Sequence, residues 1–206
     1  MKICILDYGL GNIQSLSNAI NKIGFENEFY TSKKNEFYDV IFIPGVGSFS
    51  RASELIFKKE ISTFLKKNIQ NNCFIFGICL GMQFLFEYSL ENGKNSGLNL
   101  LPGNVEKLSS DKSIKLPIIG WKEVFFNTNN TYQFLEKYNK KKFYFIHSYV
   151  AKTNLNDSIL SYSIHQNIKY LSSIKHKNVF GTQFHPEKSG ENGLNFLYDC
   201  LKKFIN

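Results

Sequence analysis

Apolar positions fall along this chain in two rhythms, one of near-continuous short runs and one of helical spacing. "KICILD" at 2–7 is a short apolar run that ends in an acid and leads into "YGLGN". From Asn12 to about Gly24, apolar residues recur through Ile13, Leu16, Ala19, Ile20 and Ile23, and Gly24 is a plausible stop. "NEFYTS" at 27–32 predicts a second strand. "YDVIFIPGVG" at 38–47 predicts a third that ends in a glycine-rich turn. A helical region covers about 50–70, "NCFIFGI" at 72–78 predicts a fourth strand, and 80–90 predicts a helix. Strands alternating with helices argue for an α/β fold with a mainly parallel sheet flanked by helices. Runs without polar alternation fit a sheet covered on both faces. Ligands gather at the carboxyl ends of such strands, where "YGLGN", "PGVGS" and "GICLG" fall.

The second half changes rhythm. Between about 104 and 182 come short β-prone runs, among them "VEKLS", "VFFNT", "FYFIHSYV", "KYLSSI" and "NVFGTQF". They predict antiparallel strands added to one side of the sheet, before a final helix over about 190–204. No repeat, low-complexity tract or linker interrupts the chain, so one domain over residues 1–206 is expected. Hydrophobic content of 43% and charged content of 20% are ordinary for a soluble globular protein. No apolar run has the length of a membrane span, and the N-terminus lacks a signal-peptide cleavage pattern. No membrane association and a cytoplasmic location are the expectation. The formal net charge is +8, but the lysines are scattered apart from "KYNKKK" at 137–142. Without a nucleic-acid-binding motif beside it, that cluster is expected to be solvated surface, with no nucleic-acid partner.

The four cysteines, Cys4, Cys73, Cys79 and Cys200, form no Cys-x-x-Cys pair, so no metal site is expected. Cys4, Cys73 and Cys200 lie in apolar or helical runs and suit buried, inert thiols. Cys79 differs, sitting in "GICLG" between a strand and a helix. Such an elbow projects a nucleophile above the sheet edge, at a helix N-terminus whose N–H groups can hold an oxyanion. The same pattern also suits a core cysteine beside helix-packing glycines. A thiolate nucleophile needs a base. His165 and His176 lie among polar residues, whereas His147 lies in "YFIHSY" and His185 in "GTQFHPEKS", with Glu187 two residues on. A carboxylate beside an imidazole fixes its tautomer and stabilises its charged form. Cys79, His185 and Glu187 therefore make a coherent triad.

Gly-Ile-Cys-Leu-Gly-Met-Gln at 77–83, Pro-Gly-Val-Gly at 44–47 and His-Pro-Glu-Lys-Ser at 185–189 resemble the class I glutamine amidotransferases. "DYGLGN", "GW" at 120–121 and "FYFIHSY" at 143–149 narrow the likeness to the glutaminase subunits of imidazole glycerol phosphate synthase. The resemblance runs the length of the chain and implies a flavodoxin-like sheet. It implies that Cys79 attacks the side-chain amide of L-glutamine, with His185 as general base and Glu187 orienting it. Gly45, Val46 and Gly47 match the oxyanion strand, with an N–H near Val46 joining that of Leu80. Gln83 and Glu91 match positions that hold the substrate's amino-acid end, and Ser148 and Tyr149 match backbone contacts to it. Asn12 and Lys188 match positions facing a partner, a (β/α)8-barrel synthase subunit that receives the ammonia in a heterodimer. No cofactor is implied. One departure stands out: Ile118 and Lys122 in "PIIGWK" replace the family's usual histidine and asparagine. They lie outside the triad but leave the acceptor open between a histidine-pathway intermediate and a sugar. A peptidase or esterase of the same architecture, or an inactive scaffold for the barrel, are the other classes. Neither explains "PGVG" together with an intact triad.

Overall fold

The computed structural model describes residues 1–30, 36–58, 61–127 and 132–205. The first half holds β1 (Ile3–Ile5), α1 (Ile13–Lys22), β2 (Glu28–Phe29), β3 (Val40–Ile43), α2 (Phe49–Lys58), α3 (Ile61–Gln70), β4 (Phe74–Ile78) and α4 (Leu80–Phe84). Then follow β5 (Phe86–Ser89), β6 (Asn95–Ser96), β7 (Leu101–Lys107), β8 (Ile118–Phe126), β9 (Lys141–His147) and β10 (Tyr149–Lys152). The chain closes through β11 (Ile159–His165), β12 (Ile168–His176), β13 (Val179–Thr182) and α5 (Gly190–Phe204).

A nine-stranded sheet has the order β2-β1-β3-β4-β13-β12-β11-β8-β9. Its first five strands are parallel and the rest antiparallel. The predicted α/β fold with antiparallel additions is therefore present. β13 differs from the expectation for the second half, because it returns to pair parallel with β4. A second sheet, β10-β7-β5-β6, was not anticipated. It takes in 86–89, where a helix over 80–90 was expected. The stretch satisfies both periods, and the pairing of Phe86 with Leu101 and of Tyr88 with Ser96 decides for strand. The helical region at 50–70 is two helices, with residues 59–60 outside the described set, as are the last two residues of the predicted strand at 27–32.

Register around the sheet centre is set by aromatic packing. Phe42 pairs with Phe76 and Phe76 with Phe180 across β3, β4 and β13. Their ring centroids lie 4.8 and 4.5 Å apart, and all three are fully buried. A slip of one residue would drive these rings into the core on the opposite face, already filled by Ile41, Ile43 and Ile75, at an overpacking cost of about 1–3 kcal/mol. This ladder fixes which residues leave the three strand ends side by side.

Candidate active site

β4 lies between β3 and β13, and the three run parallel, so their carboxyl ends open on one edge. β3 runs into Pro44–Gly47, β4 into Cys79, and β13 into Gln183–Glu187. The motifs at 44–47, 77–83 and 185–189 are thus brought together by strand order. Cys79 has φ 55° and ψ −109°, a left-handed conformation that costs a non-glycine residue of order 1–3 kcal/mol. Its N–H donates to the Thr182 carbonyl at 2.7 Å, tying the elbow to the neighbouring strand. The flanking glycines are required by close approach. A Cβ on Gly81 would stand 1.7 Å from the Ile43 carbonyl oxygen, and one on Gly77 2.7 Å from the Gly81 oxygen. α4 has only five residues, so its macrodipole is small and its contribution to an anion is local.

His185 lies beside this elbow. Its Nδ1 is 2.7 Å from Glu187 Oε1, with the side chains only 2% and 5% exposed. A short turn at Pro186–Lys188 brings the carboxylate back to the ring, and the His185 N–H donates to the Tyr144 carbonyl at 2.9 Å. The imidazole is raised from its ordinary value to about 10. Burial is the largest single influence and pulls downward; the charge and proximity of Cys79, then Glu187, together outweigh it. His185 Nε2 has no aligned hydrogen-bond partner among the described residues. His147 is driven the other way, to about 4, first by burial and then by the positive charge of His185 and His165. Its Nδ1–H donates to the Tyr149 carbonyl at 2.9 Å. The two histidines are therefore pushed in opposite directions: the surroundings of His185 favour its charged form and those of His147 its neutral form.

A cavity of about 430 Å³ opens above Cys79, lined in part by Val46, Gly47, Leu80, Gln83, Glu91, Ser148, Tyr149 and Lys188. Gly45 lies behind that wall, pressed between the Tyr8 hydroxyl and Leu80. Tyr8 donates to the Pro44 carbonyl at 2.6 Å. Glu91 Oε2 accepts from the Phe49 N–H at 2.7 Å, at the start of α2. The Ser148 carbonyl accepts from the Leu108 N–H, and the Tyr149 carbonyl from Gln83 Nε2 at 2.8 Å as well as from His147. Asn12 is not in the cavity; it is exposed and caps α1, its Oδ1 accepting from the Ser15 N–H at 3.2 Å. Ile118 is fully buried and pairs with His147, and Lys122 lies further along β8.

Three features were missed in the sequence. Pro117 and Ile146 also line the cavity, and the Ile146 carbonyl is 3.8 Å from Cys79 Sγ. Gln183 Nε2 also approaches the sulfur, at 3.8 Å. Ile119, Trp121 and Ile146 form an exposed apolar strip on β8 and β9, reaching the cavity at Ile146. The alternation of Ile119 and Trp121 in "PIIGWK" could have signalled its β8 part.

Residues 4–204 match the family model "Glutamine amidotransferase class-I". The chain is 38% identical over its whole length, and 99% of the relative's, to imidazole glycerol phosphate synthase subunit HisH of Saccharolobus solfataricus. It is 36% identical, over 95% of its own length, to 33% of the chloroplastic imidazole glycerol phosphate synthase hisHF of Arabidopsis thaliana. A solved structure described as a glutamine amidotransferase superposes with a TM-score of 0.71 at 17% identity, covering 97% of each chain, which shows the shared fold. With a cysteine elbow, a glycine-rich strand end and a His–Glu pair in register at one sheet edge, this glutamine-hydrolysing chain belongs to the class I glutamine amidotransferase family.

Proposed function

We propose that the chain is the glutaminase subunit of an imidazole glycerol phosphate synthase, with Cys79, His185 and Glu187 as its triad. The observation that carries the triad is the buried His185–Glu187 pair held beside a strained cysteine at the floor of a cavity. Cys79 Sγ, its proton passed to His185, attacks the side-chain amide carbon of L-glutamine. The oxyanion is held by the Leu80 N–H and a peptide N–H near Val46, with Gly45 and Gly47 giving the strand room to turn. The C–N bond then breaks as His185 protonates the nitrogen, releasing ammonia and leaving a γ-glutamyl thioester. Water, deprotonated by His185, attacks the thioester carbon, the C–S bond breaks, and glutamate leaves. Glu187 holds Nδ1–H throughout, and no step calls for a metal or cofactor. Gln83 and Glu91 hold the substrate's α-amino and carboxylate groups, aided by Ser148 and Tyr149.

The ammonia passes to a (β/α)8-barrel synthase subunit, paired with this chain as a heterodimer. The relatives' names support this acceptor over a sugar, and the plant relative, three times this chain's matched share, has room for both activities in one polypeptide. The exposed apolar strip, with Asn12 and Lys188, supplies the docking face beside the cavity. Ile118 is buried against His147 and leaves the triad untouched. The test is synthesis by the reconstituted pair with either glutamine or ammonia as nitrogen donor. Cys79→Ala abolishes the glutamine-dependent rate and spares the ammonia-dependent one; glutamine hydrolysis surviving in the variant would remove Cys79 from its role.

A further inference from the structure

We infer that Gln183 is a further catalytic residue, its carboxamide N–H donating to the Cys79 sulfur and stabilising the thiolate that attacks glutamine. This rests on Cys79 being the nucleophile. Parallel pairing of Thr182 with Ile78 places residue 183 alongside residue 79. The Gln183 side chain is fully buried, with Nε2 3.8 Å from Sγ and Oε1 3.0 Å from Gln83 Nε2.

The direction of this carboxamide follows from its neighbours. The Tyr149 carbonyl can only accept, so the group that Gln83 presents to it at 2.8 Å must be its NH₂. The second hydrogen of that NH₂ then points at Gln183, which must answer with Oε1. That leaves the NH₂ of Gln183 turned to the sulfur. The chain of donors runs one way, from the Tyr149 carbonyl through Gln83 and Gln183 to Sγ. His147 adds a second donor to the same Tyr149 carbonyl and so holds its position. The sulfur also meets the Ile146 carbonyl, an acceptor that suits the thiol but not the thiolate. Besides His185, Gln183 is thus the side-chain donor that this arrangement aims at a developing negative charge on sulfur.

The test uses two variants of the full chain, Gln183→Met and Gln183→Glu, in complex with the partner. Cys79 alkylation by iodoacetamide is followed by intact mass, and glutaminase kinetics are run in parallel. Cys4, Cys73 and Cys200 are at most 1% exposed, so alkylation reports on Cys79. A hydrogen bond to a charged group is worth about tenfold or more in an equilibrium. Alkylation at neutral pH should therefore slow by about tenfold in Gln183→Met. Its kcat/KM for glutamine should fall about tenfold, carried by kcat. Gln183→Glu keeps an acceptor for Gln83 but turns an anionic oxygen to the sulfur, and should be more impaired than the Met variant. Wild-type alkylation in Gln183→Met overturns the inference. So does wild-type alkylation in Gln183→Glu, which would mean that Gln183 acts only by holding Gln83; this arm decides alone should the Met variant not fold. Glutamine hydrolysis surviving in Cys79→Ala would instead fault the nucleophile assignment, and that outcome is read separately because alkylation reports on the sulfur without glutamine.

Discussion

Glu187→Gln should move the alkaline limb of the glutaminase pH profile downward without displacing the His185 ring. The carboxylate lies 2.7 Å from Nδ1 and both side chains are nearly excluded from water. An amide oxygen can accept the same Nδ1–H, so orientation survives and the charge alone is lost. The loss is the difference between a hydrogen bond to an ionised partner, about 1.5–3 kcal/mol, and one to a neutral partner, about 0.5–1.5 kcal/mol, and each 1.36 kcal/mol is about one pH unit in a titration. The sign follows from which form the carboxylate favours. Glu187 favours the imidazolium, whose proton is held up to about pH 10 in the intact triad. Its removal lowers that limit by about 1 pH unit, while the influence of Cys79, ranked above that of Glu187, remains. The assay is kcat/KM for glutamine with the partner present, from about pH 6 to about pH 10. The variant's deficit should be modest at the acid end and widen as pH rises. A deficit constant across the range, with the limb unmoved, would refute the charge argument and leave Glu187 an orienting group only.

The backbone around the elbow and the surface beside it carry three further outcomes. Gly81→Ala should cost several degrees in Tm or prevent folding, since its Cβ would fall 1.7 Å from the Ile43 carbonyl oxygen, a backbone atom that cannot step aside; thermal unfolding at wild-type temperature would contradict the close packing. The isolated chain should hydrolyse glutamine at least about 10²-fold more slowly than the ligand-loaded complex, the scale of one missing oxyanion donor. Gly47 at φ 98° lets a peptide of that strand turn. Steady-state rates for the chain alone and in complex check this, and Lys188→Ala should weaken the stimulation more than the KM for glutamine.

Much of the fold was legible because the first half keeps its rhythms separate. α1 buries Leu16, Ala19 and Ile20 and begins at its Asn12 cap, and β3 and β4 are buried at every position, as their unbroken apolar runs foretold. The second sheet was not legible. Two of its strands, Asn95–Ser96 and Phe86–Ser89, are too short for a period to declare itself, and their partners lie up to 16 residues away. A helix over 80–90 was the natural expectation from local spacing, and pairing with Leu101–Lys107 and Asn95–Ser96 overrides it over 86–89. In such segments, tertiary pairing rather than propensity selects the element.

The site divides along the same line. Cys79, His185 and Glu187 announce themselves because each occupies a local motif: an elbow closed by glycines, and a carboxylate two residues beyond an imidazole. Gln183 announces nothing. In "GTQFHPEKS" it is a polar residue after a strand, where exposure is the ordinary expectation. Its burial beside Sγ depends on β13 returning from the far half of the chain to pair parallel with β4, in the register that sets Thr182 against Ile78. That register is enforced by Phe76 and Phe180, whose rings meet on the face where α5 packs through Phe196. The same aromatic contacts that hold the sheet together thus decide which carboxamide meets the sulfur. Replacing one of those rings would disturb the chemistry through strand register, without touching a polar atom of the site.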